Sequence, residues 1–227
     1  MLSVKKIQAV ILAGGKGQRL GNLGKNIPKA LVKINGNIFL DIIIKQLKKN
    51  KINNFLILTG YKKEQIISHY QDKKNIFPIK GKTNWQTLTR IVKAKDVIKG
   101  PYFLLMYCDN FLENFSLTKV LTAKKKHPSK IIFSVVKKKK NQKGPILLKK
   151  NKLIYQDDID SNYAEAGYML INKSFFFKNI KNFKGNKLSE YLKYLSKTSN
   201  FTGNYYSDKF FCIENQKLIK ETQKYFK

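Results

Sequence analysis

Residues 9–29 read AVILAGGKGQRLGNLGKNIPK, and the organisation of the whole chain can be worked outward from them. Val10, Ile11 and Leu12 form a short apolar run that stops abruptly at Ala13-Gly14-Gly15-Lys16-Gly17. An apolar run bounded by glycines predicts a buried strand feeding a tight turn. Gly14, Gly15 and Gly17 permit positive φ and a close approach of main-chain N–H groups to a ligand. Lys16, Arg19 and, after Pro28, Lys29 bring cations to the same region. Amide donors and cations converging beyond a strand suit a triphosphate. The P-loop spacing is absent, because no Gly-Lys-Ser/Thr follows. The dinucleotide pattern G-x-G-x-x-G also fails: Leu20 stands where the third glycine belongs, and Gly21 comes one residue late.

A length of 227 residues accommodates one α/β domain, and 42% apolar content supports a real core. The longest apolar stretches, such as those around Asp41, are too short to span a bilayer, so no membrane partner is expected. The N-terminus (MLSVKKIQAVILAGG) is interrupted by Lys5, Lys6 and Gln8, and reads as a first strand instead of a signal peptide. Cys108 and Cys212 make no disulfide framework, which points to a reducing cytoplasm.

The formal charge of +32 invites a nucleic-acid reading, but Arg19 and Arg90 are the only arginines among 46 basic residues. Lysines are spread along every segment, with a dense run at 137–140, beside abundant Asn, Ile, Phe and Tyr. This pattern fits a compositional bias of the whole surface better than a dedicated nucleic-acid site, which favours the arginine fork. Where lysine replaces arginine almost everywhere, a surviving arginine is a candidate for a planar contact. Arg19 lies in the glycine loop; Arg90 is either a second member of that site or a chance survivor on a helix.

Apolar periodicity predicts strands over 7–12, 54–59, 76–79, 102–107 and 131–136, alternating with helices over 37–49, 62–70, 87–98 and 116–126. The alternation implies a Rossmann-like α/β three-layer sandwich around a mostly parallel central sheet. Ligands in such sheets sit beyond the carboxyl ends of strands, where both the glycine loop and Asp109 fall. After residue 137 come a hairpin over 144–155, a strand over 163–172, helices over 173–180 and 187–195, a strand over 210–213 and a helix over 216–226. They suggest a small lobe grown on the sheet, within a single domain of residues 1–227.

Asp109 ends a hydrophobic strand, where a free carboxylate is costly unless paired or metal-bound. It could hold Mg²⁺, which favours one or two carboxylates plus phosphate oxygens, or simply cap a turn. Cys108 should point away from Asp109 into the core. Glu165 and Gly167 lie together in YAEAGYM, where a carboxylate beside a glycine can bind hydroxyls at close range; an edge-strand charge is the competing reading. His69 and His127 receive no role. No Ser/His/Asp or Cys/His arrangement and no zinc spacing occurs.

These residues resemble the sugar-1-phosphate nucleotidyltransferases, or NDP-sugar pyrophosphorylases, whose opening signature is close to L-A-G-G-x-G-T-R-L followed by P-K. Here it runs Leu12-Ala13-Gly14-Gly15-Lys16-Gly17-Gln18-Arg19-Leu20, then Pro28-Lys29, with only Gln18 departing. MYCDNF (106–111) resembles the strand ending in the magnesium aspartate, and YAEAGYMLIN (163–172) resembles the acceptor strand that commonly reads N-A-G. KTNWQTLTR (82–90) is closer to the D-T-G…T-M-T-G-G-R segment of glucose-1-phosphate cytidylyltransferases than to other base-binding segments, though its paired glycines are missing. The acceptor-phosphate lysine of an E-K-P motif is not visible near 156–158. The late segment with a second metal carboxylate appears as Cys212-Ile213-Glu214-Asn215-Gln216, so Glu214, Asp208 or neither fills that place.

The resemblance implies a nucleotidyltransferase fold of the GT-A-like kind, with residues 1–136 binding nucleotide and 137–227 forming the acceptor-binding part. It implies Mg²⁺-dependent transfer from an NTP, with CTP favoured, to a sugar 1-phosphate, giving an NDP-sugar and pyrophosphate. Arg19, Lys29 and Asp109 become the catalytic candidates. Leu12, Ala13, Gly14, Gly15, Lys16, Gly17, Arg19, Thr83, Thr87, Thr89 and Arg90 become the nucleotide-binding ones. Asn110, Gly144, Glu165 and Gly167 are candidates for the acceptor, and Asp109 and Glu214 for the metal. Cytidylyl transfer to a phosphoalcohol such as phosphocholine, guanylyl transfer to a heptose or mannose phosphate, and a non-catalytic nucleotide-binding relative remain alternatives, as does a homo-oligomer.

Overall fold

The computed structural model describes residues 7–127, 130–137, 144–149, 152–159, 163–199 and 201–226. β1 (Gln8–Ala13) runs into the glycine loop, a 3-10 turn (Gln18–Leu20), α1 (Asn22–Asn26) and a second 3-10 turn (Lys29–Leu31). A small hairpin, β2 (Lys33–Ile34) with β3 (Asn37–Ile38), leads into α2 (Phe39–Lys49). Then follow β4 (Phe55–Thr59), α3 (Lys63–Tyr70), β5 (Ile76–Ile79), α4 (Thr87–Lys93), β6 (Tyr102–Tyr107), β7 (Asn110–Leu112), α5 (Leu117–Lys126) and β8 (Ile131–Lys137). The remainder comprises β9 (Gly144–Lys149), β10 (Lys152–Ile159), β11 (Tyr163–Asn172), α6 (Lys173–Lys178), α7 (Leu188–Thr198), β12 (Phe201–Tyr206), β13 (Phe210–Cys212) and α8 (Gln216–Tyr225).

Nine strands form one sheet in the order β5-β4-β1-β6-β11-β8-β12-β10-β9. The first four are parallel; β11 then enters antiparallel to both β6 and β8, and β12 runs parallel to β8. The later strands thus continue the same sheet. Every residue of β1 is buried, as expected for a central strand covered on both faces. Its alternation divides the core: Ala9, Ile11 and Ala13 pack with α2 and α3, while Val10 and Leu12 pack with α4 and α7. The register places Leu12 beside Leu58 on one side and Tyr107 on the other, so the loops after β1, β4 and β6 emerge together.

The α/β alternation predicted from periodicity is present. The helix expected over 87–98 ends at Lys93, where the Ala94 N–H donates to both the Arg90 and Ile91 carbonyls and the chain tightens into turns. β12 was not anticipated. Its Thr202-Gly203-Asn204 centre breaks the apolar pattern, yet the strand pairs with both β8 and β10. Cys108 is buried, as its strand position implied. Among the described residues no helix is long and apolar enough to cross a membrane.

His69 has a structural part. Its Nε2 lies 2.9 Å from Asp41 Oδ2, and Tyr70 donates its hydroxyl to Asp41 Oδ1 at 2.9 Å, tying α3 to α2. Burial acts to raise the Asp41 pKa, but the hydrogen bonds from His69 and Tyr70 and the charge of Lys73 outweigh it, leaving the carboxyl below its ordinary value. A depressed carboxylate pKa contributes stability above the unfolded value of about 3.9 and loses it as pH falls through the folded one. Asp41→Asn should therefore cost about 1 kcal/mol in urea denaturation at pH 7, kept modest by the partial exposure of the pair. That difference should shrink as the pH is taken below about 4.

Candidate functional site

The glycine loop is shaped by steric need at particular positions. Gly17 sits in the left-handed region (φ 61°), and its carbonyl accepts from the Leu20 N–H at 2.9 Å, closing the turn over a buried Leu20. A Cβ on Gly24 would strike the Gly17 carbonyl, so α1 packs directly against the loop. Gly14 and Gly15 do not adopt positive φ; Gly21 does. Gly15 and Lys16 are exposed, and the space where a Gly15 side chain would project is open. Leu12, Ala13 and Gly14 are buried and supply the floor.

Gly14 is required for a different reason. The Arg90 side chain comes up from α4 and is buried, with its guanidinium lodged where a Cβ on Gly14, Gly60 or Gly81 would stand. Nη1 donates to the Thr59 carbonyl at 2.5 Å, and Nη2 donates to the Gly14 carbonyl at 3.1 Å and the Thr83 carbonyl at 3.4 Å. Burial pushes the Arg90 pKa down, although arginine stays charged. Arg90, a nucleotide-binding candidate from its sequence, thus has its fork on backbone carbonyls behind the loop. Of the threonines, Thr83 is exposed, and Thr87 accepts the Leu188 N–H at its hydroxyl (2.9 Å), joining α4 to α7. Thr89 is half-buried on α4.

The catalytic and metal candidates do assemble. Cys108 N–H donates to the Leu12 carbonyl (3.2 Å), which holds the turn after β6 against the glycine loop. Ile213 N–H donates to the Asp109 carbonyl (3.0 Å), and β13 pairs with β7, bringing Glu214 alongside. Asn215 then caps α8 by accepting the Leu218 N–H. The Lys29 ammonium is in direct contact with Asp109, and both side chains are largely buried. The Arg19 guanidinium is in direct contact with Glu214, in a more exposed setting. Asp208, the other candidate for the second carboxylate, accepts a hydrogen bond from Asn114 (2.7 Å) and lines the same cleft as Glu214. Among the described residues no group of three His, Cys, Asp or Glu side chains forms a ready-made metal cage.

Beside Asp109 opens a cleft of about 740 Å³, lined in part by Tyr107, Asn110, Glu165, Phe210, Phe211 and Glu214. The acceptor candidates Asn110, Glu165 and Gly167 meet here. Gly167 has φ 77°, and the Asn110 amide lies where its Cβ would be. The β11–β8 register shifts between Glu165 and Met169, an irregularity that re-aims side chains. Glu165 Oε1 is sealed from solvent and has no hydrogen-bond partner, and burial pushes its carboxyl up to about 7. Gly144 opens β9 opposite Ile159. The side chains of 156–158, where an acceptor lysine was sought, and residues 138–140 of the lysine run lie outside the described residues. Sequence reasoning missed the niche of Gly60 and Gly81 and the wall formed by Tyr107, Phe210 and Phe211. Three glycines spread over 67 positions give no local signal of a shared arginine.

The family described as nucleotidyl transferase matches residues 8–146. A probable glucose-1-phosphate cytidylyltransferase of Bacillus subtilis is 36% identical over 135 residues, covering 49% of this chain and 53% of the relative. The chain spans about half the length, or less, of the curated relatives it matches. A putative glucose-1-phosphate thymidylyltransferase from Bacillus anthracis superposes with a TM-score of 0.82 at 16% identity, covering 96% of this chain and 94% of that one. HddC from Yersinia pseudotuberculosis, complexed with GMP-PN, superposes with a TM-score of 0.79 at 22% identity, covering 97% and 100%. These two likenesses establish the fold.

The Arg90 niche makes a direct prediction. Arg90→Lys keeps the charge but cannot span the carbonyls of Gly14, Thr59 and Thr83, and should cost about 1–3 kcal/mol in urea denaturation without any ligand present. An unchanged midpoint would show that the fork does not fasten these strand ends.

Proposed function

Because the chain belongs to the nucleotidyl transferase family, we propose that it transfers a nucleotidyl group from an NTP to a phosphorylated acceptor, a sugar 1-phosphate foremost, releasing pyrophosphate. The observation that carries this reading is the pairing of Lys29 with Asp109 and Arg19 with Glu214 around one cleft mouth beside the glycine loop. Two cations and two carboxylates, each neutralising the other, can exchange partners when a polyphosphate and a divalent cation arrive.

The acceptor phosphate is its own nucleophile. With a second pKa of about 6 it is largely dianionic near neutrality, so no protein base is needed to activate it. The protein's tasks are to align two anions and to offset their charge. The glycine loop holds the triphosphate against its amides. Arg19, released from Glu214, follows the pyrophosphate end as it leaves. Lys29, released from Asp109, steadies the phosphate under attack. Asp109 and Glu214 are hard oxygen donors adjoining this loop, and this donor set fits Mg²⁺, which is content with one or two carboxylates besides phosphate oxygens. The ion, held by Asp109 and Glu214, would supply further neutralisation of the polyphosphate.

The preference for CTP rests on the likeness of 82–90 to cytidylyltransferase segments and on the curated cytidylyltransferase relative. Other neighbours carry different bases in their names, so CTP is a preference within the proposal and the nucleotidyl transfer is its core.

Pyrophosphate release should be measured with each of the four NTPs, Mg²⁺ and a set of sugar 1-phosphates. Asp109→Asn should abolish Mg²⁺-dependent turnover while leaving the chain folded by circular dichroism, and Lys29→Ala should lower kcat about 10²–10³-fold. Near-normal turnover of Asp109→Asn would refute its metal role. Nucleotide binding without any pyrophosphate would favour a non-catalytic relative.

A further inference from the structure

The cleft that receives the acceptor is acidic in a chain that is overwhelmingly basic. Among the described residues, five acidic side chains line it, against two basic ones, Lys137 and Lys209. Three of the five are accounted for: Asp109 faces Lys29, Glu214 faces Arg19, and Asp208 accepts from Asn114. Glu221 lies exposed on α8. Glu165 is different. Among the described residues its Oε1 has no hydrogen-bond partner and is shut away from water, and burial pushes its pKa up.

A buried carboxylate without a partner is costly, and a lysine is the obvious remedy in a chain so rich in them. None among the described residues takes that place. The register shift in β11 and the close fit of Asn110 on Gly167 fix the strand that carries Glu165 at the cleft wall. Tyr107 is close enough for its hydroxyl to sense the Glu165 charge, and Phe210 and Phe211 line the same cleft. A buried carboxylate at a cleft wall is suited to a cation, through a charge-assisted contact. A neutral hydroxyl would be served as well by an amide, without the cost of burying a charge.

We propose that the acceptor carries a positively charged nitrogen in addition to its phosphate, and that Glu165 receives that nitrogen. The inference rests on the nucleotidyl-transfer reading and narrows its substrate class. An amino sugar 1-phosphate and the phosphate ester of an amino alcohol share this chemistry. On binding, the ammonium holds Glu165 ionised and supplies the partner that the protein leaves out.

The test is a matched-pair assay of pyrophosphate release with the preferred NTP: glucosamine 1-phosphate against glucose 1-phosphate, and phosphocholine against glycerol phosphate. The charged member of one pair should show at least about tenfold higher kcat/KM, and the pair that shows it identifies the source of the amine. Glu165→Gln should reduce that preference to within about threefold through the acceptor KM, with the NTP KM held. Glu165→Asp, which keeps the charge, should retain the direction of the preference. Equal efficiency on charged and neutral members, or a preference that survives Glu165→Gln, overturns the proposal while nucleotidyl transfer stands. No pyrophosphate from any acceptor overturns both.

Discussion

A single buried guanidinium joins the ends of the elements on which the candidate site is built. Arg90 rises from α4 and binds carbonyls at the end of β1, at the end of β4 and in the segment after β5. The Thr59 and Gly14 carbonyls lie where their strands stop, and the Gly14 carbonyl also accepts the Tyr61 N–H at 3.1 Å. A planar fork can serve all three from one point; a lysine cannot. The price is a niche empty of side chains, and Gly14, Gly60 and Gly81 provide it. The glycine at 14 therefore answers to the core beneath the loop, while Gly17 answers to the turn itself.

The second constraint is electrostatic. A surface carrying +32 would hold any anion loosely in many places. Specific binding requires that the right cations be fixed and that the wrong ones be kept out. Lys29 and Arg19 are fixed by carboxylates, and those same carboxylates shield the cleft from becoming one more basic patch. Two internal ion pairs at the cleft mouth give a ligand-free state with little net charge locally. A ligand that offers both signs can displace both pairs, whereas a simple anion leaves the carboxylates stranded.

Much of this was legible before any coordinates. The apolar run into Ala13-Gly14-Gly15 located the central strand, the alternation located the layers, and Asp109 was found because a carboxylate at the end of YFLLMY is out of place in a core strand. The scarcity of arginine singled out Arg90 correctly as a residue that needs its fork, but not the direction in which the fork points. Direction is set by three glycines distant in sequence, and residue type alone does not report which backbone a guanidinium will meet. β12 escaped notice for a related reason. Thr202, Gly203 and Asn204 carry no apolar period, and the strand exists because β8 and β10 present free edges on either side.

The two halves of the cleft are built on different principles, and this bears on what can vary. The glycine-loop side consists of main chain held by parallel strands, a glycine turn and one buried arginine, so few substitutions there leave the geometry intact. The other side consists of side chains on an irregular antiparallel strand, β11, and on the short β7–β13 pair. A change from amide to carboxylate at such a position alters charge without moving backbone.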